Sequence, residues 1–416
     1  MARKFAFMIH PRIIDDFGRR VGKVLRIGEE LGMKITPKKP SEWILKHLRG
    51  RMGYTICSQF DVFGGKAEGY IVAVLLSGKQ MKELDRHLVE RRIIEAILFT
   101  QDKLGAERIG LGAYTAPMTR NGLSVVKHPG IKAKITHGDA LSSASAVPIV
   151  IECCRLKGID ITAATIAVVG AYGIVGKAAT LLLSELNPQT MILTGHNHNK
   201  LAAVSRELSG CFQGQIICSA DNSAIMEADI VILSTTSDGY IVGPEDLKEN
   251  AIVVDVAQPH NMSQEVCNQR PDVLRVDGGY MSIADINLRF KMGPPRGTSF
   301  ACLTETIVST LCGDHDHHVG PVDMDFARSI MPLANSLGFQ VAPLTNFSRP
   351  IDPNYQFQTA ANTAPLKQRG DDSLCFGKEG VLGLDGLLLK TNFRDLRHAV
   401  CRDTATGTAP PQKLHE

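Results

Sequence analysis

The sequence has little net charge and few aromatic residues. Its 416 residues contain 46 Lys and Arg against 43 Asp and Glu, a formal net charge of +3, and 6% of the chain is aromatic. A nucleic-acid-binding protein usually has a basic patch with interleaved aromatic side chains, and an anionic membrane likewise attracts clustered basic residues. We therefore expect neither nucleic acid nor an anionic membrane surface as a partner.

Long apolar runs and paired cysteines are also missing. The first stretch, MARKFAFMIHPRIIDD, meets charge too soon for a signal peptide, and no apolar run is long enough for a transmembrane segment. The 10 cysteines have irregular spacing and no CxxC pair, which in a chain of this size indicates free thiols in a reducing compartment. The sequence thus predicts a cytoplasmic protein without a disulfide framework.

The first part of the chain mixes strand-like and helical stretches. FAFMIHP and GYIVAVLLSG are typical of buried strands, whereas RIIDDFGRRVGKVLRIGEELGM and QMKELDRHLVERRIIEAILFTQDKLGA have helical apolar spacing. These elements predict an N-terminal α/β domain over residues 1–128, which we expect on the substrate side of the molecule.

From about residue 160, short β-rich runs alternate with helical stretches. The runs are ATIAVVG, TMILTGH, ADIVILSTT, AIVVDVA and VLRVDGG. Alternation of this kind predicts an α/β fold with a Rossmann-like doubly wound parallel sheet. We assign the dinucleotide-binding domain to residues 129–290, C-terminal helices to 291–347 and a mostly flexible polar tail to 348–416.

A glycine-rich turn joins the first of these strands to its helix. In AVVGAYGIVGKA, Gly170 permits the tight turn, Gly173 lets the backbone approach a pyrophosphate, and Gly176 lets the helix pack on the strand. The spacing is GxxGxxG rather than GxGxxG, but the apolar strand before it and the helix after it are the context that a dinucleotide site requires. A glycine turn without a ligand is the alternative.

The end of the next strand bears on the choice of cofactor. NAD-binding domains usually place Asp or Glu there to bond the ribose 2′-hydroxyl, whereas this sequence has Thr194 and Gly195, with Lys200 as a nearby positive charge. We therefore favour NADPH over NADH. The residues expected to contact the cofactor are Gly170, Tyr172, Gly173, Ile174, Val175, Gly176, Thr194, His196, Asn197, Lys200, Ser234 and Thr235.

One cysteine stands where a helix is predicted to begin. In GTSFACLTETIV, Ser299 is the expected N-cap, which makes Cys302 the third helical residue. The unpaired amides and the dipole of a helix N-terminus stabilise a thiolate and lower a cysteine pKa. Cys302 is therefore a candidate nucleophile, although inert packing is the more usual role of a buried cysteine.

Several segments together resemble a known family. In order they are FAFMIHP, GLGAYTAPM (110–118), ITHGD (135–139), AVVGAYGIVGKA (167–178), ILTGHN (192–197), VDGGY (276–280) and FACLTETI (300–307). With these segments, residues 1–347 resemble the long-chain acyl-(acyl-carrier-protein) reductases of cyanobacteria and a related bacterial group known as predicted amino-acid dehydrogenases. Among the segments, FAC at a helix start after the nucleotide-binding domain is the most specific.

The resemblance implies a two-step reduction. Cys302 would attack an acyl thioester of acyl-carrier protein or coenzyme A, and NADPH would reduce the bound acyl group to an aldehyde. It implies substrate positions at Tyr114, Thr115, Thr136 and Gly138, for which ordinary turn or packing roles are the alternative. An aldehyde-consuming enzyme is then a candidate partner.

The chain departs from the family at two motifs and in its tail after residue 347, which has no recognisable counterpart, and it leaves other functions open. The family's Thr-Thr-Gly-Asn turn is Thr136-His137-Gly138-Asp139 here, and His196 replaces a common arginine. A dehydrogenase of a small hydroxy or amino acid, with His137 and Asp139 as its acid–base pair, is one alternative. A non-catalytic nucleotide-sensing module is another.

Three further features are predicted to be structural. We expect Glu305 to be a charge at a helix start rather than a base, and Cys153 and Cys154 to be core residues. CGDHDHH (312–318) lacks the spacing of a metal site, so we predict a solvated loop and no bound metal.

Overall fold

The computed structural model describes residues 2–11, 53–237, 239–282, 286–290 and 292–351. The predicted helix at residues 12–33 lies outside the described residues, as does the predicted tail from residue 352 onward. No helix in the described ranges is long and apolar enough to cross a membrane.

The N-terminal region forms a mostly parallel sheet. Its order is β2-β3-β1-β4-β5, and only the pairing of β2 with β3 is antiparallel. The buried apolar runs of β1 and β3 are typical of parallel strands covered on both faces, and they confirm the two predicted strands. The strands are β1 (Arg3–Ile9), β2 (Tyr54–Val62), β3 (Ala67–Val74), β4 (Arg108–Leu111) and β5 (Lys134–Thr136). The last of them continues this sheet past residue 128, the boundary expected from the sequence.

The helix predicted over residues 80–106 is divided in two. The Asp85 side chain accepts a hydrogen bond from the Leu88 amide at 3.0 Å and so begins a new helix, while Leu84 is extended. Aspartate favours such caps over helix interiors because its short carboxylate competes for backbone amides. The described helices of this region are α1 (Gly78–Glu83), α2 (Arg86–Leu104), α3 (Thr115–Met118) and α4 (Leu123–Val126).

The second sheet is parallel throughout and confirms the predicted Rossmann-like fold. Its order is β11-β10-β9-β6-β7-β8. The strands are β6 (Thr165–Val169), β7 (Thr190–Thr194), β8 (Gln215–Ser219), β9 (Ile230–Leu233), β10 (Ile252–Asp255) and β11 (Leu274–Asp277). Strand β8 was not predicted, because it is an edge strand with a largely exposed pattern rather than a buried apolar run.

Both faces of this sheet are covered. Ile166 and Val168 on β6 belong to one apolar core, and their neighbours Ala167 and Val169 belong to another on the opposite face. This alternation is what a doubly wound sheet requires. The associated helices are α5 (Asp139–Ala144), α6 (Ala146–Lys157), α7 (Ile174–Ser184), α8 (His198–Ser209) and α9 (Gln264–Gln269), with 3₁₀ turns at Ile161–Ala163, Asn222–Glu227 and Pro244–Asp246.

Two C-terminal helices, as predicted, pack between the sheets. They are α10 (Ala301–Cys312) and α11 (Met324–Ser336). Helix α10 contacts β1, β4 and α5, and the approach is close because Gly110 on β4 has no side chain to meet Thr306. The remaining strands are β12 (Tyr280–Ser282), β13 (Thr298–Phe300) and β14 (Gln340–Val341), which form a small antiparallel sheet, and the hairpin of β15 (Thr345–Asn346) with β16 (Arg349–Pro350).

Candidate active site

The glycine turn has the geometry predicted for it. Gly170 has φ +82°, and its amide donates to the Thr194 carbonyl at 3.0 Å, which closes the end of β6 on the end of β7. A methyl group at Gly176 would clash with the Gly170 carbonyl, so helix α7 packs directly on the turn, and it would lie 2.7 Å from the Ser234 hydroxyl after β9. Gly173 precedes α7 and offers no side-chain cap, which leaves the first amides of the helix available to an anion.

The residues after β7 come together with the glycine turn. A methyl group at Gly195 would lie 2.5 Å from the Tyr172 ring, and the Lys200 ammonium lies 5.5 Å from the centre of that ring. His196 is exposed, and Asn197 caps α8 by accepting from the Lys200 amide at 3.0 Å. Tyr172 and Lys200 therefore border the position where a nucleotide ribose lies in this fold.

The other predicted cofactor residues are held by side chains that sequence reasoning missed. The Thr194 hydroxyl is buried and donates to Asn222 at 3.2 Å, while the Ser234 hydroxyl donates to the Val169 carbonyl at 2.8 Å. Thr235 donates to the buried side chain of Asn261 through both its amide (3.1 Å) and its hydroxyl (2.9 Å). A polar residue shortly after a strand, as in DVAQPHN, is the signal that could have found Asn261.

The arrangement fits a dinucleotide. The methyl group of Thr235 would lie 2.8 Å from a Cβ on Gly170, so only glycine leaves the backbone of the turn accessible there. Gly170, Gly173 and the first amides of α7 would hold a pyrophosphate, and no carboxylate stands at Thr194 or Gly195.

The helix that carries Cys302 begins one residue later than predicted. Ser299 belongs to β13, where its hydroxyl lies 2.6 Å from that of Thr304, and Phe300 occupies the N-cap position without a side-chain cap. The prediction of Ser299 as the cap was wrong, because Ser299 pairs with Met281 in the small sheet. Cys302 is consequently the second helical residue, still within the first turn.

The expectation of a lowered Cys302 pKa was also wrong. The amides of Leu303 and Cys302 do lower the pKa of this thiol, as expected at a helix start, but desolvation first and the Asp139 carboxylate next raise it to about 12. Cys302 is partly exposed to solvent. The raised pKa therefore comes from the atoms packed around the sulfur and does not require that the whole residue is buried. Cys302 is thus a protonated thiol at neutral pH.

The turn between β5 and α5 rests directly on Cys302. A methyl group at Gly138 would lie within 3.0 Å of the Cα and Cβ of Cys302 and 2.8 Å from its carbonyl oxygen. Gly138 also has φ +80°, which L-residues rarely adopt. Only glycine lets this turn approach the cysteine so closely.

Glu305 joins the same turn to the helix. It is fully buried, and its carboxylate accepts hydrogen bonds from the Thr136 hydroxyl and from the Leu141 amide, the latter at 2.8 Å. The predicted helix-start charge is therefore a buried carboxylate, because the segment around Gly138 covers it. Thr136, a predicted substrate residue, uses its hydroxyl for this contact and accepts from the Gly138 amide at 3.2 Å.

Two ionisable side chains of the turn form a pair. His137 is 3% exposed, and its Nδ1 lies 3.0 Å from the Asp139 carboxylate. Burial, the largest single influence, disfavours a charged imidazole, yet Asp139, then Glu305 and the Gly320 carbonyl together raise the pKa of His137. The motif THGD was visible in the sequence, but the burial that makes this pair unusual was not.

The start of α10 connects the carboxyl ends of both sheets. The Ala301 amide donates to the Gly279 carbonyl, just after β11, at 2.7 Å, and the Gly138 turn follows β5 directly. The Ser143 hydroxyl of α5 donates to the Val175 carbonyl of α7 at 3.2 Å, which links this region to the glycine turn. Ligands of open α/β sheets bind at this edge.

The predicted substrate residues Tyr114 and Thr115 lie at the same edge of the N-terminal sheet. Thr115 is fully buried, and its hydroxyl donates to the Gly112 carbonyl at 2.7 Å. The Tyr114 ring stacks on His10 with centroids 5.3 Å apart, and the Lys82 ammonium lies 4.4 Å from the Tyr114 ring centre. Of the two predicted substrate residues, Thr115 is buried and Tyr114 is half-buried, so Tyr114 is the one that a ligand could contact.

A second buried ionic cluster lies at the carboxyl ends of β10 and β11. Arg275 pairs with Asp255 at 2.9 Å and with Asp277, and all three side chains are fully buried. Asp277 also accepts from the Thr345 hydroxyl and the Ser348 amide, each at 2.7 Å. The cluster therefore fastens the last hairpin to the nucleotide-binding sheet.

The two cysteines on α6 and the histidine-rich loop have structural roles. Cys153 and Cys154 are buried in the core, as predicted. In the loop, Asp314 accepts from His318 at 2.6 Å and pairs with buried Arg108 at 3.2 Å, so the loop is anchored rather than wholly solvated. Among the described residues, no group of three His, Cys, Asp or Glu side chains is arranged to hold a metal ion.

Comparison with known proteins supports a nucleotide-binding oxidoreductase. A family model described as shikimate / quinate 5-dehydrogenase matches residues 154–278, the part that carries the glycine turn. A long-chain acyl-[acyl-carrier-protein] reductase of Synechococcus elongatus is 26% identical over 266 residues, 61% of this chain and 74% of that protein. A glutamyl-tRNA reductase of Thermus thermophilus is 27% identical over 140 residues, 32% of this chain and 34% of that protein.

A larger relative matches more of the chain. The aminotransferase PigE of a Serratia species is 23% identical over 361 residues, which is 84% of this chain but 41% of that protein. The chain thus spans less than half the length of this relative. What these matches show is distant homology, together with a dehydrogenase family model over residues 154–278.

Proposed function

We propose that this chain is an NADPH-dependent reductase that converts an acyl thioester into an aldehyde through an acyl group bound to Cys302. The observation that supports it most is the packing of the Gly138 turn against Cys302 at the start of α10. A cysteine used only for packing does not require a left-handed glycine on its backbone, at the carboxyl edge where α/β proteins bind their ligands.

The residues around Cys302 suit acyl transfer. An attacking sulfur converts the thioester carbonyl into an oxyanion, which preorganised backbone amides stabilise. The Ala301 amide is engaged with the Gly279 carbonyl, but the amides of Cys302 and Leu303 face the Cys302 sulfur without a side-chain cap and would take this role. The glycine turn and Tyr172 would hold the nucleotide, which supplies hydride when bound.

Two features favour NADPH as the hydride donor. Thr194 and Gly195 place no carboxylate where one would repel a 2′-phosphate, and the exposed Lys200 stands beside Tyr172. His196 and Asn197 are exposed or capping residues next to it, within reach of the same end of the nucleotide.

The names of two relatives support a carrier-bound acyl substrate. One is a reductase of acyl-carrier-protein thioesters and the other a reductase of glutamyl-tRNA, so both act on an acyl group attached to a larger carrier. For this chain the proposed donors are thioesters of acyl-carrier protein or coenzyme A, with Tyr114 beside the substrate. An enzyme that consumes aldehydes is the corresponding proposed partner.

The decisive experiment is acylation without nucleotide. The protein is incubated with an acyl-coenzyme A thioester, and its intact mass is measured beside that of Cys302→Ser and of Cys153→Ser, a buried-cysteine control. We expect an added acyl mass on the wild type and on Cys153→Ser but not on Cys302→Ser. Equal aldehyde formation by Cys302→Ser and the wild type, once NADPH is added, would reject the covalent route.

A small-molecule dehydrogenase is the second candidate. The observation in its favour is the contact between buried His137 and partly exposed Asp139, which could act as an acid–base pair for an alcohol or amine. This reading expects full turnover of a hydroxy or amino acid by Cys302→Ser. If no form of the protein binds nucleotide, both enzymatic candidates fail.

A further inference from the structure

The environment of Cys302 poses a chemical problem for acyl transfer. Thiolate is the nucleophilic form of cysteine, but burial and neighbouring carboxylates hold the pKa of Cys302 far above neutral. A thiol in this state attacks a carbonyl efficiently only if a nearby base removes its proton during the attack. This inference rests on the proposed function and concerns its first half-reaction alone.

Two carboxylates act on the Cys302 thiol. Glu305 is fully buried and already accepts two hydrogen bonds, from Thr136 and Leu141. Asp139 is partly exposed, with 21% of its side chain accessible, and it is the charge that acts most strongly on the sulfur. Since Glu305 has its oxygens engaged and Asp139 keeps access to solvent, Asp139 is the better proton acceptor.

The pairing with His137 fits this role. The Asp139 carboxylate lies 3.0 Å from His137 Nδ1, which is hydrogen-bond distance. The carboxylate can only accept, so His137 Nδ1 carries the proton of this bond. With Asp139, Glu305 and the Gly320 carbonyl facing it, the imidazole is biased toward its charged form. A charged His137 compensates the thiolate that forms when Asp139 accepts a proton.

The backbone brings Asp139 close to Cys302. Asp139 is the first residue of α5 and directly follows Gly138, whose Cα packs on Cys302. The Asp139 amide nitrogen also lies 3.2 Å from His137 Nδ1, so the ring stays close to the backbone of the turn. The packing of the Gly138 turn therefore sets the backbone position of Asp139 relative to Cys302.

We propose that Asp139 is the general base that deprotonates Cys302 during acyl transfer, with His137 as its positioning residue. As the sulfur bonds to the thioester carbon, the thiol proton moves to an Asp139 oxygen. When the bond between that carbon and the carrier sulfur breaks, the same proton passes to the leaving sulfur, and the free carrier thiol is released. No proton or electron is gained or lost overall.

Two reactions of the same sulfur test the proposal. Iodoacetamide reacts with pre-existing thiolate, whereas an acyl-coenzyme A thioester requires the base. In Asp139→Asn, which keeps the side-chain shape, loss of the negative charge should make alkylation of Cys302 about tenfold faster, because a neighbouring charge shifts a pKa by ~1 unit or more. Acylation without nucleotide should instead become at least tenfold slower. A change that merely loosened the site would move both rates in the same direction.

The wild-type protein provides a second test that needs no variant. With Asp139 as base, the acylation rate should change only a few-fold between pH 7 and pH 9, while the alkylation rate rises about tenfold per pH unit. Acylation that rises as steeply as alkylation would overturn the inference, as would an Asp139→Asn variant that is acylated as fast as the wild type. His137→Asn, which retains a hydrogen-bonding group, should weaken acylation less than Asp139→Asn. Absence of any acyl adduct on the wild type would instead reject the proposed function itself.

Discussion

Replacement of Gly138 by alanine tests the contact on which the candidate site depends. Gly138 has φ +80°, and a non-glycine residue in this left-handed region costs ~1–2 kcal/mol. The added methyl group would also lie within 3.0 Å of the Cys302 backbone, which cannot move as a side-chain end could. Overpacking of this kind costs ~1–3 kcal/mol. We therefore expect Gly138→Ala to lower the free energy of unfolding by about 2–5 kcal/mol.

A second glycine provides the matched control. Gly158, which ends α6, has φ +67°, but a methyl group there would meet no atom within 4 Å. Gly158→Ala should therefore cost only the left-handed strain, ~1–2 kcal/mol. The two variants are compared by urea unfolding monitored by circular dichroism, since a change in midpoint at constant slope reports stability.

The same pair of variants can be examined for acyl transfer. A displacement of about 1 Å at a reacting group can reduce a rate ~100-fold, so Gly138→Ala should lose most acylation of Cys302 while Gly158→Ala keeps it. If Gly138→Ala is as stable as Gly158→Ala and is acylated normally, the close approach to Cys302 has no structural or chemical importance, and the reasoning is refuted.

Three further predictions concern other residues of the site. Alkylation of Cys302 by iodoacetamide, followed by peptide mass spectrometry, should become faster with pH up to pH 10 without a plateau. The reason is that the pKa of Cys302 is raised to about 12, and the thiolate fraction increases with pH below that value. A plateau near pH 8 would contradict this. Glu305→Ala should lower the free energy of unfolding by about 2–6 kcal/mol, since it leaves two buried donors without an acceptor at ~1–3 kcal/mol each. Glu305→Gln should cost clearly less. Equal urea midpoints for the two variants would contradict this. Lys200→Ala should weaken NADPH binding a few-fold and leave NADH binding almost unchanged. Only the 2′-phosphate of NADPH can form an ion pair with Lys200, and an exposed ion pair contributes little binding energy. Nucleotide fluorescence titration measures both affinities, and an equal loss for the two nucleotides would exclude this role.

Sequence patterns located the nucleotide-binding region well. The glycine spacing around Gly170 and the alternation of apolar strands with helices depend on local backbone requirements, which are visible within a few residues. The same approach failed at β8, whose exposed edge position removes the apolar run that marks a buried strand. It also placed the helix cap at Ser299, since a local rule for caps takes no account of the pairing between β12 and β13.

The reactive centre was only partly visible. Cys302 stood out because it precedes an apolar helical stretch, but its raised pKa depends on Asp139 and on packing contributed by a distant turn. The burial of Glu305 was not visible for the same reason, because its partners Thr136 and Leu141 lie far from it in the chain. The signal for Glu305 was its position one helical turn after Cys302, but nothing local indicated its burial.

The amino-acid sequence by itself determined the strand and helix order, the glycine turn and the cysteine at a helix start, because these follow from backbone geometry and periodicity over short stretches. The tertiary structure alone decided which side chains surround that cysteine, which of them are buried and therefore how its proton is held. Burial and distance between ionisable groups arise when remote segments pack together, and the electrostatic energy of a charge depends on both.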